Sequence, residues 1–435
     1  MKHRIVVLGA GYAGAVVAGR LARRLHRDDV EITVVNADPD FVERVRLHQL
    51  ASGQDLPRRP LLDIYAGTGV LVRPARVTAV DADRRTVDLF GEHGAGTLGH
   101  DTLGHDTLGH DTLGYDTLVY ALGSTAADHG VPGVAEYAHT VAGKPDALRL
   151  RARLSALDPG GTVLVVGGGL TGIETATEIA EARPDLRVAL AARGGVGDRL
   201  SDKARHHLRV VLDRLGVTVH ERAEVTSVEA GRVVTGAAGE IPADVTVWTA
   251  GFSVHPIAAA TTLEVSDTGQ IVVDATMRSV SHPEVYAVGD AALAEGAGGR
   301  PLRMSCATAT PMAWRAADAL AARLTGRKVP ETVIGYTAQC VSLGRRAGIL
   351  QRVTHDDRVT PTVVTGRTGA RIKELICASV AWNVSHPTIM LPSRRRHLVA
   401  TAAPESHPVT PSPGDAVAAS VGSPRPSEDR SRGTA

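Results

Sequence analysis

The pattern G-x-G-x-x-G occurs twice in this chain, each time directly after a run of apolar residues and before an amphipathic helical pattern. The first copy lies in RIVVLGAGYAG and the second in TVLVVGGGLTGIE. Their glycines are Gly9, Gly11 and Gly14 in the first copy, and Gly167, Gly169 and Gly172 in the second. A strand, a glycine turn and a helix in this order are typical of a dinucleotide-binding α/β unit. Two such units predict a chain that holds two nucleotides.

Each glycine of the pattern has a separate physical role. The first permits the tight turn, the second lets the backbone approach a pyrophosphate, and the third lets the helix pack closely on the strand. The pyrophosphate then lies on free N–H groups at the start of the helix, where positive charge is concentrated. Because the chain contains 46 glycines, two ordinary glycine turns are the competing interpretation. The strand before and the helix after each copy argue against it.

The residue that ends the second strand of each unit normally contacts the adenosine ribose through a carboxylate. In the first unit Asn36 holds this place, with Asp38 close behind, and we expect Asn36 to hydrogen-bond a ribose hydroxyl. In the second unit Ala192 holds it and Arg193 follows. A guanidinium without the carboxylate suits a 2′-phosphate, which indicates NADPH or tolerance of both NADH and NADPH. Arg193 as an ordinary solvated loop residue is the alternative.

The composition is that of an ordinary globular protein, with 43% hydrophobic and 22% charged residues among 435. The net charge of +1 argues against a nucleic-acid partner. The sequence contains no apolar run long enough to cross a bilayer and no signal peptide pattern. The three cysteines form no C-x-x-C pair, which argues against a disulfide framework. We therefore expect a cytoplasmic protein.

Four near-identical pentads, LGHDT three times and LGYDT once, run from Leu98 to Thr117. His100, His105 and His110 recur with a period of five, which matches neither a helix face nor a strand face. We interpret residues 96–114 as a duplicated hairpin insertion that projects into solvent, with metal binding as the alternative. Residues 401–435 are rich in Pro, Ser and Gly, which predicts a disordered tail.

Further segments resemble a known superfamily. YDTLVYALGS, with Gly123, and VTVWTAGF, with Gly251, resemble segments that lead between the domains of two-dinucleotide flavoproteins. HPEVYAVGDAA, with Gly289 and Asp290, is similar to their second FAD motif. Over roughly residues 3 to 325 the chain resembles the FAD-dependent pyridine nucleotide-disulfide oxidoreductases. FVERVRLHQLASG and QCVSLGRRAG bring it closest to the type II NADH dehydrogenases within that superfamily.

The resemblance implies an α/β fold with two Rossmann-like, three-layer domains and a small C-terminal α+β domain. It implies that an NAD(P)-binding domain (146–254) is inserted into a discontinuous FAD-binding domain (1–145 and 255–325). The C-terminal domain then covers residues 326–400.

The same resemblance suggests individual cofactor-binding residues. Asp290 is expected on the ribitol or phosphate side of FAD, and His48 and Gln49 nearest the flavin. A helix that begins near Pro311 is expected to direct its N-terminus at the flavin. Glu174 is expected near the nicotinamide, unless it only caps its helix. The redox-active cysteine pair of the disulfide reductases is missing, so dithiol chemistry is not expected. The type II dehydrogenases carry an Ala-Gln motif on the helix after the GD motif, but here Thr310 or Pro311 holds the Gln position, which puts a conventional quinone site in doubt.

The expected activity is an FAD-dependent NAD(P)H dehydrogenase that passes a hydride to FAD and then electrons to a quinone or another acceptor. A ferredoxin or rubredoxin reductase and a low-turnover flavoprotein redox sensor are the alternatives. The pattern from Arg371 to Val384 has an apolar stripe, and SRRRH follows it. These features are consistent with weak peripheral contact at the inner face of the membrane, or with core packing. A homodimer is left open.

Overall fold

The computed structural model describes residues 1–92, 108–236, 239–329, 331–388 and 394–399. The predicted tail and the first two pentads lie outside these residues. Nine helices are found within the described ranges: α1 Tyr12–Arg24, α2 Leu47–Ala51, α3 Leu61–Ile64, α4 Val134–Tyr137, α5 Lys144–Ser155, α6 Leu170–Ala182, α7 Asp202–Arg214, α8 Cys306–Leu324 and α9 Gly366–Ser385.

The strands of the first half of the chain are β1 His3–Leu8, β2 Val30–Asn36, β3 Val70–Pro74, β4 Arg76–Asp81, β5 Thr86–Glu92, β6 Leu108–Gly114, β7 Thr117–Tyr120, β8 Ser124–Ala126, β9 Ala138–His139, β10 Thr162–Val166, β11 Arg187–Ala192 and β12 Thr218–Glu221. Those of the second half are β13 Val225–Glu229, β14 Arg232–Thr235, β15 Gly239–Pro242, β16 Val245–Trp248, β17 Phe252–Val254, β18 Ile271–Val272, β19 Val285–Ala287, β20 Ala292–Leu293, β21 Ala338–Leu343, β22 Ala347–Val353 and β23 Val359–Thr365.

The first parallel sheet has the strand order β19-β7-β1-β2-β3. Its central strand β1 is buried from Ile5 to Leu8, as expected for a strand that is covered on both faces. The helix α1 connects β1 to β2 and buries most of its residues, and α8 packs beside it. The sequence pattern of a strand, a glycine turn and a helix therefore forms the βαβ unit that it predicts.

The second parallel sheet has the order β12-β11-β10-β16-β9. Its strands lie in the chain between β7 and β19 of the first sheet, so one α/β unit interrupts the other. The helix α6 follows the second glycine turn and connects β10 to β11. The α/β fold class with two Rossmann-like units is confirmed.

The third pentad lies in a β-hairpin, in agreement with that part of the interpretation, and the projection of the repeat into solvent stays a prediction. The strand β6 contains it and pairs along its full length with β5, in a three-stranded antiparallel sheet with β4. Leu113 lies opposite the buried Val87, and the His110 ring lies beside Phe90 with 5.2 Å between ring centroids. Pairing with β5 therefore makes this segment a strand, although its five-residue repeat does not match the two-residue period of a strand. Among the described residues, no group of His, Cys, Asp and Glu side chains is arranged to hold a metal ion.

The last part of the chain forms an α+β layer. The strands β21, β22 and β23 make an antiparallel sheet, and α9 packs on it with Gly369 against Gly348 of β22. The buried residues of α9 also include Cys377, Ala381 and Val384. The core-packing interpretation of this helix therefore holds for one face only, because Leu375 and Trp382 are 69% and 46% exposed. Within the described residues, none of the helices combines the length and the apolar character that a bilayer crossing requires.

Candidate functional site

The first glycine turn is built so that one glycine faces open space. Gly9 has φ +90°, and a Cβ there would collide with the carbonyl oxygen of Ala121 at the end of β7. A Cβ on Gly14 would collide with the carbonyl oxygen of Gly9. By contrast, a Cβ on Gly11 would meet no atom within 4 Å. Gly11 is also the N-cap residue of α1 and offers no side-chain cap, so the free N–H groups of the first turn fit a pyrophosphate.

The second turn repeats this arrangement. Gly167 has φ +128°, and a Cβ there would lie 2.6 Å from the carbonyl oxygen of Thr249. A Cβ on Gly172 would collide with the carbonyl oxygen of Gly167, whereas one on Gly169 would meet nothing within 4 Å. Gly169 is the N-cap residue of α6, again without a side-chain cap. Gly251, with φ +148°, lies just after β16 at the same end of the second sheet.

Asp290 follows Gly289, which lies beside the start of α1, and its carboxylate has partners from two other segments of the chain. The Ser124 hydroxyl donates to its carboxylate over 2.6 Å, and the Arg44 guanidinium lies 3.9 Å away. Arg44 also donates to the Ser124 carbonyl oxygen over 2.9 Å. Gly289 (φ +71°) packs on Ala13 of α1, and Gly123 (φ +71°) packs against Arg44. The sequence reasoning missed Arg44, because nothing in FVERVRL distinguishes it from Arg46.

Asn36 uses its amide group within the protein. Its Oδ1 accepts the Ala10 N–H over 2.8 Å, and its Nδ2 donates to the Asp38 carbonyl oxygen over 2.6 Å. Each amide atom has one further bonding position. Asn36 therefore fixes the glycine turn, and its contact with a ribose stays a prediction.

At the end of β11, the Ala192 side chain faces the second turn. A Cβ on Gly168 would lie 2.6 Å from the Ala192 Cβ, so the place of the usual carboxylate is beside this loop. Arg193 is exposed immediately after it. A carboxylate does reach this region from the next strand, since Glu221 accepts the Val196 N–H over 2.9 Å. Glu221 also lies 3.5 Å from Arg209, so its carboxylate already pairs with a cation of the protein.

His48 and Gln49 lie on α2 and are both buried. Burial lowers the pKa of His48 to about 4, and the nearby cations Lys373, Arg345 and Arg46 act in the same direction. The imidazole is therefore neutral at pH 7. Its Nε2 lies 3.5 Å from the Ser342 hydroxyl.

Glu174 does not cap α6, so that alternative is wrong. Its Oε1 accepts the Ser342 N–H over 3.0 Å and the Ser342 hydroxyl over 3.2 Å, and lies 3.1 Å from Lys373 Nζ. Burial alone would raise the pKa of Glu174, but the Lys373 ammonium and the Ser342 N–H reverse this and hold it below its ordinary value. The pKa of Lys373 is raised, because the Glu174 carboxylate outweighs the burial. A buried ion pair thus joins α6, β21 and α9.

The cysteines Cys306, Cys340 and Cys377 all lie within electrostatic range of Lys373. Burial raises the pKa of Cys306 to about 11 and raises those of the other two thiols. They are therefore thiols at neutral pH rather than nucleophilic thiolates. No disulfide is formed by these three residues.

Pro311 does not begin a helix, so that prediction is wrong. The helix α8 begins at Cys306, and Pro311 lies inside it. The proline ring removes the hydrogen bond to the carbonyl of Ala307, but Ala307 is exposed and water can bind there. The free N–H groups at the start of α8 therefore lie in its first turn, at Cys306, and not near Pro311.

Comparison with known proteins agrees with this geometry. The family model described as pyridine nucleotide-disulphide oxidoreductase matches residues 3–319. The chain belongs to this family. It is an oxidoreductase that uses a pyridine nucleotide.

Two curated relatives and one solved structure illustrate the similarity. The NADH dehydrogenase-like protein YutJ of Bacillus subtilis is 27% identical over 79% of this chain and 91% of its own. The demethylphylloquinone reductase NdbB of Synechocystis is 26% identical over 80% of this chain and 86% of its own. The structure of NDH2 from Plasmodium falciparum in complex with NADH matches with a TM-score of 0.72 at 13% identity, over 90% of this chain and 97% of that one. This structural match shows the fold.

Proposed function

We propose that this protein is an FAD-dependent NAD(P)H dehydrogenase that passes two electrons from the nicotinamide through FAD to a quinone. The observation that carries the proposal is the pair of uncapped helix starts at Gly11 and Gly169, each with open space in front of its middle glycine. Two pyrophosphates would therefore have separate places in one chain. The family membership supports a pyridine nucleotide in one of them.

FAD is assigned to the first turn. The free N–H groups at the start of α1 would hold its pyrophosphate, and Asp290 and Arg44 would hold polar groups of the same molecule. Bound FAD supplies the two-electron chemistry, so no acid–base triad is required for hydride transfer. The domain boundaries predicted above, with the NAD(P) unit inserted, are retained as part of this proposal.

The second turn is assigned to the nicotinamide nucleotide, with NADPH favoured over NADH. Ala192 removes the carboxylate that would repel a 2′-phosphate, and the exposed Arg193 follows it directly. Glu174 is the fifth residue of α6 and belongs to the region where the two nucleotides would meet.

The buried residues around Glu174 provide a charged but water-poor environment for hydride transfer. Lys373 supplies a positive charge that is held by Glu174, and His48 supplies a neutral polar side chain. Fixed charges in a buried site act more strongly than they would in water. These groups would therefore position the reacting ring systems and stabilise the negative charge that accompanies reduction.

A quinone is the acceptor that we favour, and the name of the relative NdbB supports this choice. The missing Ala-Gln motif means that the quinone would bind in a different manner from that of the type II enzymes that the chain resembles. The exposed Leu375 and Trp382 of α9 are the apolar residues that would face a membrane surface.

The test is an anaerobic stopped-flow experiment on the full chain reconstituted with FAD. We expect NADPH or NADH to bleach the yellow protein rapidly, and a water-soluble quinone to restore the colour in each cycle. Reoxidation by a ferredoxin or rubredoxin but not by quinone would replace the quinone proposal by the reductase alternative. Slow bleaching with a persistent charge-transfer band would favour a redox sensor and overturn the dehydrogenase proposal.

A further inference from the structure

Three carboxylates lie along one face of α6. Glu174, Glu178 and Glu181 are spaced at i, i+4 and i+7, which places neighbours on the same side of a helix. Glu174 is buried beside Lys373, Glu178 is buried in the middle, and the Glu181 side chain is 20% exposed. The row therefore leads from solvent to the buried group that we assign to hydride transfer.

Glu178 has no role in the function proposed so far, and its environment is unusual. Its exposed fraction is 1%, and one carboxylate oxygen accepts a hydrogen bond from the Gln54 amide. The other oxygen, Oε2, is buried and has no hydrogen-bond partner in the described part of the chain. A buried ionised carboxylate that lacks such a partner is costly, so the group favours its protonated form.

The charged groups around Glu178 leave its proton exchangeable near neutral pH. Burial raises its pKa to about 7, Glu181 and Glu174 act in the same direction, and Arg345 and the Gln54 hydrogen bond act against it. Arg345 comes from the loop between β21 and β22, and its own N–H binds Glu181 over 3.1 Å. Gln54 follows α2, the helix that carries His48. The neighbours of Glu178 thus come from three parts of the chain: α6 itself, the segment after α2 and the loop between β21 and β22.

The proposed reaction requires one proton from solvent in each turnover, and this argument rests on the proposed function. NAD(P)H and a quinone give NAD(P)⁺ and a quinol. The hydride carries two electrons and one proton, and the quinol needs a second proton. Water is the source of that proton, but the surroundings of Glu174 and His48 are buried. A chain of protein carboxyl groups that reaches solvent offers a route for this proton.

We infer that Glu178 is a proton-relay residue, which receives a proton from solvent by way of Glu181 and passes it towards Glu174. In this relay the protonated form of Glu178 becomes ionised when its proton moves inward. A proton that enters past Glu181 then restores it. Glu178 acts through Glu174 and touches neither cofactor.

The variant Glu178→Gln keeps the size of the side chain but cannot release a proton in this pH range. Asp318→Asn is the control, because Asp318 is also a partly buried carboxylate but pairs with Arg20 and Arg24, away from α6. In stopped-flow experiments we expect Glu178→Gln to leave bleaching by NADPH unchanged and to slow reoxidation by quinone about tenfold. The wild-type reoxidation rate should fall as the pH rises through about 7, and this dependence should be absent from the variant. Identical pH profiles in the two proteins would overturn the relay.

A second measurement does not depend on turnover. The infrared spectrum of the oxidised wild-type protein should contain a protonated-carboxyl band that disappears as the pH rises through about 7 and that is missing in Glu178→Gln. If the glutamine variant does not fold, Glu178→Asp, which keeps the carboxyl group, should show the band at a shifted position. Absence of a titrating band from the wild type would overturn the relay. Failure of any quinone to reoxidise the wild type would instead contradict the proposed function, and the infrared titration would still report on Glu178.

Discussion

Glu174 and Lys373 form an ion pair of 3.1 Å between two helices that are far apart in the sequence. Both side chains are largely buried, and Ser342 of β21 adds two hydrogen bonds to the same carboxylate oxygen. The helix that begins at the second nucleotide turn is thus fixed to the last helix of the chain. The C-terminal layer therefore contributes directly to the candidate active site.

Lys373→Met should destabilise the protein by about 3 kcal/mol, because it leaves the Glu174 carboxylate buried without its cation. Urea unfolding monitored by circular dichroism measures this loss. Arg232→Met is the matched control, since the exposed pairs of Arg232 with Glu229 and Glu240 should contribute less than about 1 kcal/mol. The double variant Glu174→Gln with Lys373→Met should regain part of the stability. An effect no larger than that of the control would contradict a buried ion pair.

Gly11→Ala and Gly14→Ala should differ sharply although they are three residues apart. A Cβ on Gly11 has open space, so we expect wild-type stability of the apoprotein and an FAD content reduced about tenfold. A Cβ on Gly14 overlaps the Gly9 carbonyl, so that variant should lose at least about 2 kcal/mol of stability. Thermal unfolding and flavin absorbance after reconstitution separate the two effects. Full flavin content in Gly11→Ala would contradict the placement of FAD at this turn.

The structural features that the sequence predicted correctly are those that depend on residues close together in the chain. The glycine turns follow from a strand, a turn and a helix in direct succession, and short-range geometry determines them. The strand β6 shows the limit of such reasoning, because a pentad with no period of its own becomes a strand when it pairs with β5. Its partner decides its conformation.

The candidate site shows the same division. Gly289 and Asp290 belong to a recognisable segment, whereas Lys373 lies in a helix whose apolar stripe indicated only packing or membrane contact. Its role depends on the placement of α9 against α6, which no local pattern contains. The prediction for Pro311 failed because proline is common at helix starts but is also tolerated further along, where an exposed carbonyl can bind water.

Arg193→Ala should lower kcat/KM for NADPH about tenfold or more and leave that for NADH nearly unchanged, because only NADPH carries the 2′-phosphate. Steady-state assays with both nucleotides measure this difference. Arg187→Ala is the control, since Arg187 is an exposed arginine at the opposite end of the same strand. Equal losses with both nucleotides, or a strong wild-type preference for NADH, would show that the Ala192–Arg193 pair does not select a 2′-phosphate.

The pKa of Glu178 also predicts how stability changes with pH. It is raised from an ordinary value of 4.5 to about 7 in the folded state, so between these values the folded protein binds more protons than the unfolded chain. The free energy of unfolding contributed by this group therefore falls as the pH rises through that window, by about 3 kcal/mol in total. His48 acts in the opposite direction, because burial lowers its pKa to about 4 and its contribution is lost as the pH falls.

The difference between the wild type and Glu178→Gln isolates the Glu178 contribution from that of His48. Urea unfolding of both proteins at several pH values between 4.5 and 8 should show that Glu178→Gln becomes more stable relative to the wild type as the pH rises. The Asp318→Asn control should not follow this trend, since Asp318 pairs with Arg20 and Arg24 and has no contact with Glu178 in the ion pairs that it forms. A constant difference between the wild type and Glu178→Gln across the window would mean that Glu178 is already ionised in the folded protein.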